Sequence, residues 1–94
     1  MHYAAVVNVD NSGEDPEEGR RGLRDELAPA MRLVPGFVSG QFLTDYEHGR
    51  GIGIVVLETR EQAEQLAAGF AVDVEIRPGV KVTASEVFEV SATA

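Results

Sequence analysis

The sequence contains no cysteine and no tryptophan, and it has few basic residues. The absence of cysteine excludes disulfides, thiolate metal sites and cysteine nucleophiles. The 8 lysines and arginines are outnumbered by 16 acidic residues, which gives a net charge of −8. That balance repels phosphate backbones and argues against nucleic-acid binding. No long apolar run or basic leader is visible, so we expect no membrane association and a cytoplasmic location.

Metal ligands in a recognisable spacing are also lacking. The two histidines, His2 and His48, stand at unrelated positions and do not form a ligand pattern. The acidic run before the first predicted helix can be aligned with a calcium loop by placing Gly13 at the required glycine. The bidentate glutamate position then falls on Gly19, and Pro16 interrupts the loop. The sequence therefore predicts no metal site and no cofactor.

The chain does contain alternating strand and helix patterns over a length suited to one domain. Apolar runs predict strands over 3–9, 37–44, 52–58 and 80–90, with a short edge strand around 72–76. Turn formers lie between these runs, including Pro78-Gly79 in the type of turn that places glycine third. The resulting order β-α-β-β-α-β predicts an α+β fold of ferredoxin-like type, with an antiparallel sheet and two helices on one face.

Capping signals set the starts of the two helices. Asp15 precedes Pro16, and Thr59 precedes Gln62 by three residues, which is the spacing of a capping box. Apolar residues at three- and four-residue spacing predict the buried stripe of the first helix: Leu23, Leu27, Ala30, Met31 and Val34. Pro29 interrupts this stripe, so we expect it to kink the helix or to split off a last turn.

The central strands are apolar on both faces. In the first strand Ala5 and Val7 alternate with Ala4 and Val6, so neither face is polar. A sheet covered by helices on one side should carry polar residues on the other. Stability of about 5–14 kcal/mol for a domain of this size leaves little room for an exposed apolar sheet. The sequence therefore predicts a homodimer packed sheet to sheet.

Three sequence features resemble one known family. They are a first strand ending in Asn8, a first helix closing in V-P-G-F, and a third strand running into L-E-T-R-E-Q-A. Together they resemble the antibiotic biosynthesis monooxygenase-like superfamily of dimeric α/β barrels. The resemblance implies a pocket between sheet and helices for an aromatic or polyketide-like ligand, and oxidation without metal or flavin. Heme-degrading members carry Asn, Trp and His at positions that fall here on Asn8, Leu57 and Ala67.

Asn8 is the first candidate for a functional side chain. We expect it on the helix-facing side of the sheet with Leu57, where its amide could bind a substrate oxygen. The alternative is a structural amide that bonds the following turn. His48, with Tyr46 beside it, is a candidate general base, although a solvated loop is the commoner setting for such a histidine. Candidate ligand contacts are Asn8, Leu27, Met31, Leu57, Ala67 and Phe70.

Two classes of function remain open at this stage. The first is a cofactor-free monooxygenase acting on a compact, largely apolar ligand, with Asn8 positioning its oxygen. The second is a non-catalytic small-molecule-binding or interaction module of the same fold, which the departures at Leu57 and Ala67 favour. A cyclase or isomerase using the same pocket is a further alternative.

Overall fold

Five antiparallel strands form one sheet in the computed structural model, which describes all 94 residues. The strands are β1 (Tyr3–Asp10), β2 (Phe37–Asp45), β3 (Arg50–Leu57), β4 (Glu75–Arg77) and β5 (Val80–Glu89), in the order β2-β3-β1-β5-β4. Helical segments pack on one face of this sheet. The prediction of an α+β fold with an antiparallel sheet is confirmed, and the arrangement is consistent with a ferredoxin-like class.

The first helical segment is built in three pieces. Helix α1 (Pro16–Gly22) runs into a π-helical turn, Leu23–Leu27, and then into the short helix α2 (Ala28–Met31). Asp15 accepts a hydrogen bond from the Glu18 amide at 3.1 Å, which is the predicted N-cap. Pro29 is the second residue of α2 and supplies no N–H to the helix, and just before it the Ala28 amide bonds back to the Leu23 carbonyl in the π-helical pattern. The backbone keeps right-handed helical angles at Gly22, Leu27, Ala28 and Arg32, so the predicted last turn is not split off, and the proline is accommodated next to a π-helical turn in a continuous helical segment.

Helix α3 (Arg60–Ala68) begins with the predicted capping box. Thr59 and Gln62 exchange hydrogen bonds between side chain and backbone, each at 3.1 Å. Gly36 of the V-P-G-F segment has a φ of +81° and lies against the Gln62 amide, so a side chain there would overlap it. The Gly36 carbonyl also accepts the Glu58 amide at 3.0 Å. The V-P-G-F segment and the L-E-T-R-E-Q-A segment are therefore in direct contact at Gly36 and Gln62.

The packed core is small, with 11 of 94 residues buried. Leu57 is fully buried against Val55 and Ala63, where α3 meets the sheet. The predicted stripe of the first helical segment is only partly buried: Leu23, Leu27, Met31 and Val34 are half-buried, and Ala30 is exposed. Met31 and Val34 pack against the core cluster, whereas Leu23, Leu27 and Met31 border the open space described below.

Three loops meet at one end of the sheet. The loop after β1 contacts the β2–β3 hairpin, because the Asn11 amide donates to the Gly49 carbonyl at 3.0 Å. It also contacts the β4–β5 turn, since Gly13 and Gly79 approach so closely that a Cβ on Gly79 would lie 2.5 Å from the Gly13 carbonyl. Gly79 has a φ of +82°, as its place in the predicted turn requires.

The predicted edge strand is shorter than expected. We expected it around 72–76, but β4 comprises only Glu75–Arg77. Asp73 has a φ of +71°, which breaks the extended run before β4. The Val82 carbonyl of β5 accepts the Asp73 amide and the Val82 amide donates to the Val74 carbonyl, each at 2.9 Å, but the side chains of Val72 and Val74 are exposed. No helix in the structure has the length and apolar character that a membrane crossing requires.

The strand register decides which residues face the helices. Tyr3 pairs with Leu57 and Ala5 pairs with Val55, and these pairs contact the helical side. Residues paired across antiparallel strands share a face. The opposite, open face therefore carries the other alternate positions, and the large exposed side chains on it are Leu43, Ile52 and Phe88.

Candidate ligand-binding cavity

A cavity of about 170 Å³ lies between the sheet and the helical segments. Of the 20 residues that line it, 14 are hydrophobic. The sheet side is formed mainly by Ala5, Val7, Val9, Phe42 and Val55, and the opposite side by Leu23, Leu27, Met31, Leu66 and Phe70. Three residues of the half-buried stripe, Leu23, Leu27 and Met31, therefore form part of one wall of this cavity.

Two glycines of β3 explain why space remains here. Gly51 and Gly53 pair with Val9 and Val7 on the helix-facing side of the sheet. They contribute no side chain to this wall, whereas Val55 farther along β3 does. A Cβ at Gly53 would lie 3.3 Å from the Phe42 ring, so the ring occupies part of the space that a side chain would need. The alternating G-I-G of the third strand is thus the sequence signal for a cavity.

An ion pair closes one end of the cavity. Arg77, the last residue of β4, donates through Nη2 to Glu14 Oε1 at 3.2 Å. Arg77 Nε lies 2.7 Å from Glu14 Oε2, although it lacks the alignment of a hydrogen bond. The Glu14 side chain is 9% exposed and that of Arg77 is 29% exposed. The pair is therefore largely removed from water, and its two charges compensate each other locally.

The glycines of α1 make room for this ion pair. A Cβ on Gly19 would lie 2.6 Å from Glu14 Oε1, and a Cβ on Gly22 would lie 2.5 Å from Arg77 Nη1. Glycine inside a helix costs about 1 kcal/mol relative to alanine, so two of them one turn apart need a structural reason. The reason is that the backbone of α1 packs directly on the paired charges.

Asn11 completes the polar end of the cavity. It follows β1 directly, lines the cavity and is 7% exposed. Its backbone is fixed on both sides, since its amide donates to Gly49 and its carbonyl accepts the Glu14 amide, each at 3.0 Å. Its side-chain Oδ1 is buried and has no hydrogen-bond partner in the protein. A buried acceptor without a partner is rare and needs an explanation.

Three of the predicted ligand contacts line the cavity: Leu27, Met31 and Phe70. Leu57 lies on the helix-facing side as expected, but it is fully buried in the core and does not reach the cavity. Ala67 does not line the cavity either, and its carbonyl accepts a hydrogen bond from the Ser85 hydroxyl at 2.8 Å. The structure therefore separates the three cavity-lining positions from the two positions that only the family resemblance suggested.

The predicted placement of Asn8 on the helix-facing side is wrong. Asn8 pairs with Ile52 and Ala84, and it lies on the open face of the sheet. Its neighbours Val7 and Val9 line the cavity instead, because successive residues of a strand point to opposite faces. Its side chain therefore cannot reach a ligand in this cavity.

His48 lies in the exposed β2–β3 hairpin, away from the cavity, with a side chain that is 64% exposed. Its backbone amide donates to Asp45 Oδ1 at 3.2 Å, and its Nδ1 is 2.9 Å from Asp45 Oδ2. Hydrogen bonds from the His48 side chain and backbone lower the pKa of the Asp45 carboxyl. Tyr46 carries the Arg20 guanidinium over its ring, 4.4 Å from the centroid. These contacts connect residues within the hairpin and between the hairpin and α1, and neither His48 nor Tyr46 lines the cavity.

The sequence analysis predicts no ligand contact for Asn11, Glu14 or Arg77. Asn11 and Arg77 lie beside turn-forming residues, and Glu14 belongs to the acidic run before the first helix. The paired glycines of E-E-G-R-R-G were the available signal, because helix-interior glycines mark a close approach. No group of three or more histidine, aspartate or glutamate side chains converges in a way that could hold a metal ion.

No family model matches the chain, and no curated protein matches it.

Proposed function

We propose that the protein binds a compact, largely apolar ligand with a single ring in the cavity between the sheet and the helices. The observation that carries this proposal is an apolar cavity of about 170 Å³ with a few polar groups at one end. An apolar cavity of roughly 150 Å³ accepts benzene, whereas drug-sized ligands occupy about 300–1,000 Å³. The size therefore favours one ring over a multi-ring polyketide.

The polar groups of the cavity favour binding over oxidation. Glu14 and Arg77 are the titratable side chains that line it, and they are paired with each other. The candidates for positioning and proton transfer, Asn8 and His48, lie outside it. A non-catalytic binding module is thus our leading proposal. The cofactor-free monooxygenase and the cyclase or isomerase are the alternatives that the experiment separates.

The test measures binding of toluene and phenol to the purified protein by calorimetry, with products analysed by mass spectrometry under air. We expect binding of unchanged ligand. Leu27→Trp should fill the cavity and abolish binding, whereas Leu33→Trp should not, because Leu33 is 85% exposed and outside the cavity. An oxygenated product would favour the monooxygenase, and a product of unchanged mass would favour the isomerase. Equal binding by both tryptophan variants would reject the cavity as the site.

We also infer that the protein functions as a homodimer, with the open sheet face as the interface. Ile52 and Phe88 on this face are 37% and 49% exposed, and Val6, Ile54 and Val56 lie between them. Charged residues pair at one end of the same face, where Asp10 is opposite Arg50 and Lys81. An apolar centre with a charge-balanced polar rim is typical of interfaces between protein subunits.

The size of the open face suits a second copy of this chain. Strands of 8 residues at about 3.4 Å per residue, and four strands at about 4.8 Å spacing, give roughly 500 Å² in projection. Side-chain relief raises the accessible area toward the ~600–1,000 Å² per partner of a standard interface. Light scattering at micromolar concentration should give a dimer, Ile54→Arg should give a monomer, and Val72→Arg should remain dimeric because Val72 precedes β4. A monomeric wild type would overturn this proposal.

A further inference from the structure

A second groove runs along the edge strand β2, and its charge is opposite to that of the whole chain. It has a volume of about 550 Å³ and lies between β2 and the first helical segment. Three arginines line it, Arg20, Arg24 and Arg32, whereas no acidic residue does. The chain has 16 acidic and 8 basic residues, so this arginine groove collects positive charge against the overall balance.

We propose that the arginine groove binds an extended acidic segment of a partner protein, which adds a strand to the outer edge of β2. The edge supplies backbone hydrogen bonds, and the arginines select acidic side chains. This site goes beyond the proposed ligand-binding function and does not depend on a ligand in the cavity. Four residues line both spaces: Leu23, Met31, Phe42 and Thr44.

The outer edge of β2 is open to a further strand. β2 is the last strand on its side of the sheet and pairs only with β3, so the backbone N–H and C=O groups on its other side lack a strand partner. The four consecutive residues 38–41 are exposed. Because successive residues of a strand point to opposite faces, such a run exposes the edge itself rather than one face. β2 also lacks the lysine or proline that commonly protects an exposed edge, and it has 9 residues where β4 at the other edge has 3.

The arginines form a row beside this edge, at positions 20, 24 and 32, with Ala28 in the remaining place. The row begins beside Tyr46, just after β2, where the Arg20 guanidinium lies 4.4 Å from the ring centroid, and it ends at the turn that leads into β2. Four residues of a helix advance about 6 Å, and side chains on one face of an extended strand repeat about every 6.8 Å. Acidic side chains at alternate positions of an added strand therefore come into register with the row.

The charges of this row are available to a partner. Arg24 is paired with Asp25, whereas Arg20 and Arg32 form no ion pair within the chain. A second copy of this chain is a poor occupant, since pairing two β2 edges about a two-fold axis would bring two rows of arginines together. The homodimer proposed above uses the open face instead. An acidic partner is therefore the occupant that the edge and the charges favour.

The test measures binding of a peptide as long as β2, in which glutamate and threonine alternate, by calorimetry with the purified protein. We expect binding that weakens as the salt concentration rises. A peptide with glutamine in place of glutamate removes the charge, and a peptide with proline in place of two threonines keeps the charge but cannot pair as a strand. Each of these should bind more weakly by roughly tenfold or more.

Three variants locate the site. Arg20→Gln and Arg32→Gln should each weaken binding of the glutamate peptide by roughly threefold. Arg60→Gln is the matched control, because Arg60 also forms no ion pair and lies over an aromatic ring, 5.1 Å from the Tyr3 centroid, but is outside the groove. This control should bind the peptide as the wild type does, and an equal loss in it would overturn the proposed site.

Hydrogen exchange in the wild-type protein reports the backbone contact. The outward-facing amides of β2 should exchange more slowly when the glutamate peptide is bound. Unchanged exchange, or equal affinity for the proline peptide, would show recognition of charge without an added strand and overturn the proposal. Dissociation of a dimer by the peptide in light scattering would overturn it by showing that the edge joins two copies. Absence of binding by the wild type would reject the partner site and leave the cavity proposal untouched.

Discussion

The Glu14–Arg77 ion pair gives the sharpest prediction about stability. The two single variants Arg77→Leu and Glu14→Leu, and the double variant, form a thermodynamic cycle. The pair joins the loop after β1 to the end of β4, with a side-chain exposure of 9% for Glu14 and 29% for Arg77. We expect the singles to be destabilised unequally and the double variant to recover most of the loss.

The magnitudes follow from what each change leaves behind. Breaking a buried ion pair costs about 3–5 kcal/mol, whereas an exposed pair contributes about 0–1 kcal/mol. Arg77→Leu leaves the nearly buried Glu14 carboxylate uncompensated, so we expect about 3 kcal/mol. Glu14→Leu leaves Arg77, which already reaches water in part, so we expect about 1–2 kcal/mol. The double variant buries two apolar groups and should lose about 1 kcal/mol or less.

Urea unfolding provides the measurement. With a slope of about 1–1.5 kcal/mol per M for a domain of this size, a loss of 3 kcal/mol lowers the midpoint by roughly 2–3 M. Double-variant losses that equal the sum of the single losses would show that the charges do not interact. Equal losses in the two singles would show that the difference in burial does not govern the energetics.

Three further predictions concern the core, a glycine and the hairpin. Leu57→Ala should cost about 2–5 kcal/mol in urea unfolding because Leu57 is fully buried, whereas Leu33→Ala should stay within about 0.5 kcal/mol; a small loss at Leu57 would contradict its place in the core. Gly36→Ala should cost about 2 kcal/mol, since it strains a positive φ and displaces Gln62 from the capping box, whereas Gly69→Ala, at a φ of −71°, should be neutral or slightly stabilising. The pKa of Asp45 is lowered from 3.8, so its contribution to stability is complete above about pH 4 and is lost as the pH falls through the folded value. The stability difference between the wild type and Asp45→Asn should therefore shrink below pH 4, and a difference that does not change between pH 6 and pH 2 would contradict the His48 contact.

Local signals in the sequence predicted most of the secondary structure. The caps at Asp15 and Thr59 and the Pro78-Gly79 turn each act within a few residues, and each appears in the structure. The predicted bounds of the edge strand were wrong because the backbone of Asp73 leaves the extended region. The alternation of apolar and polar residues does not indicate such a change of backbone angle.

The face of the first strand could not be read from its pattern. Ala4 and Val6 are as apolar as Ala5 and Val7, so hydrophobicity does not decide which set meets the helices. A shift of one residue exchanges the two faces, and this is why Asn8 was placed on the wrong side. Only the pairing of Tyr3 with Leu57 resolves the choice.

The polar end of the cavity was beyond sequence reasoning for a different reason. Glu14 and Arg77 are 63 residues apart, and their pairing depends on three loops meeting at one end of the sheet. No local propensity encodes such a contact. The glycines at positions 19 and 22 indicated a close approach, and the G-I-G of β3 indicated an unfilled space. Neither pattern showed which residues are in contact there.

The cavity also has a mechanical consequence. At the cavity, the sheet and the helical segments are not packed against each other. Unfolding removes the part of this space that excludes water, so hydrostatic pressure shifts the equilibrium toward the unfolded chain by an amount that scales with that part. Under the proposed function a bound ring would occupy the space, and the ligand would then also make the protein more resistant to compression.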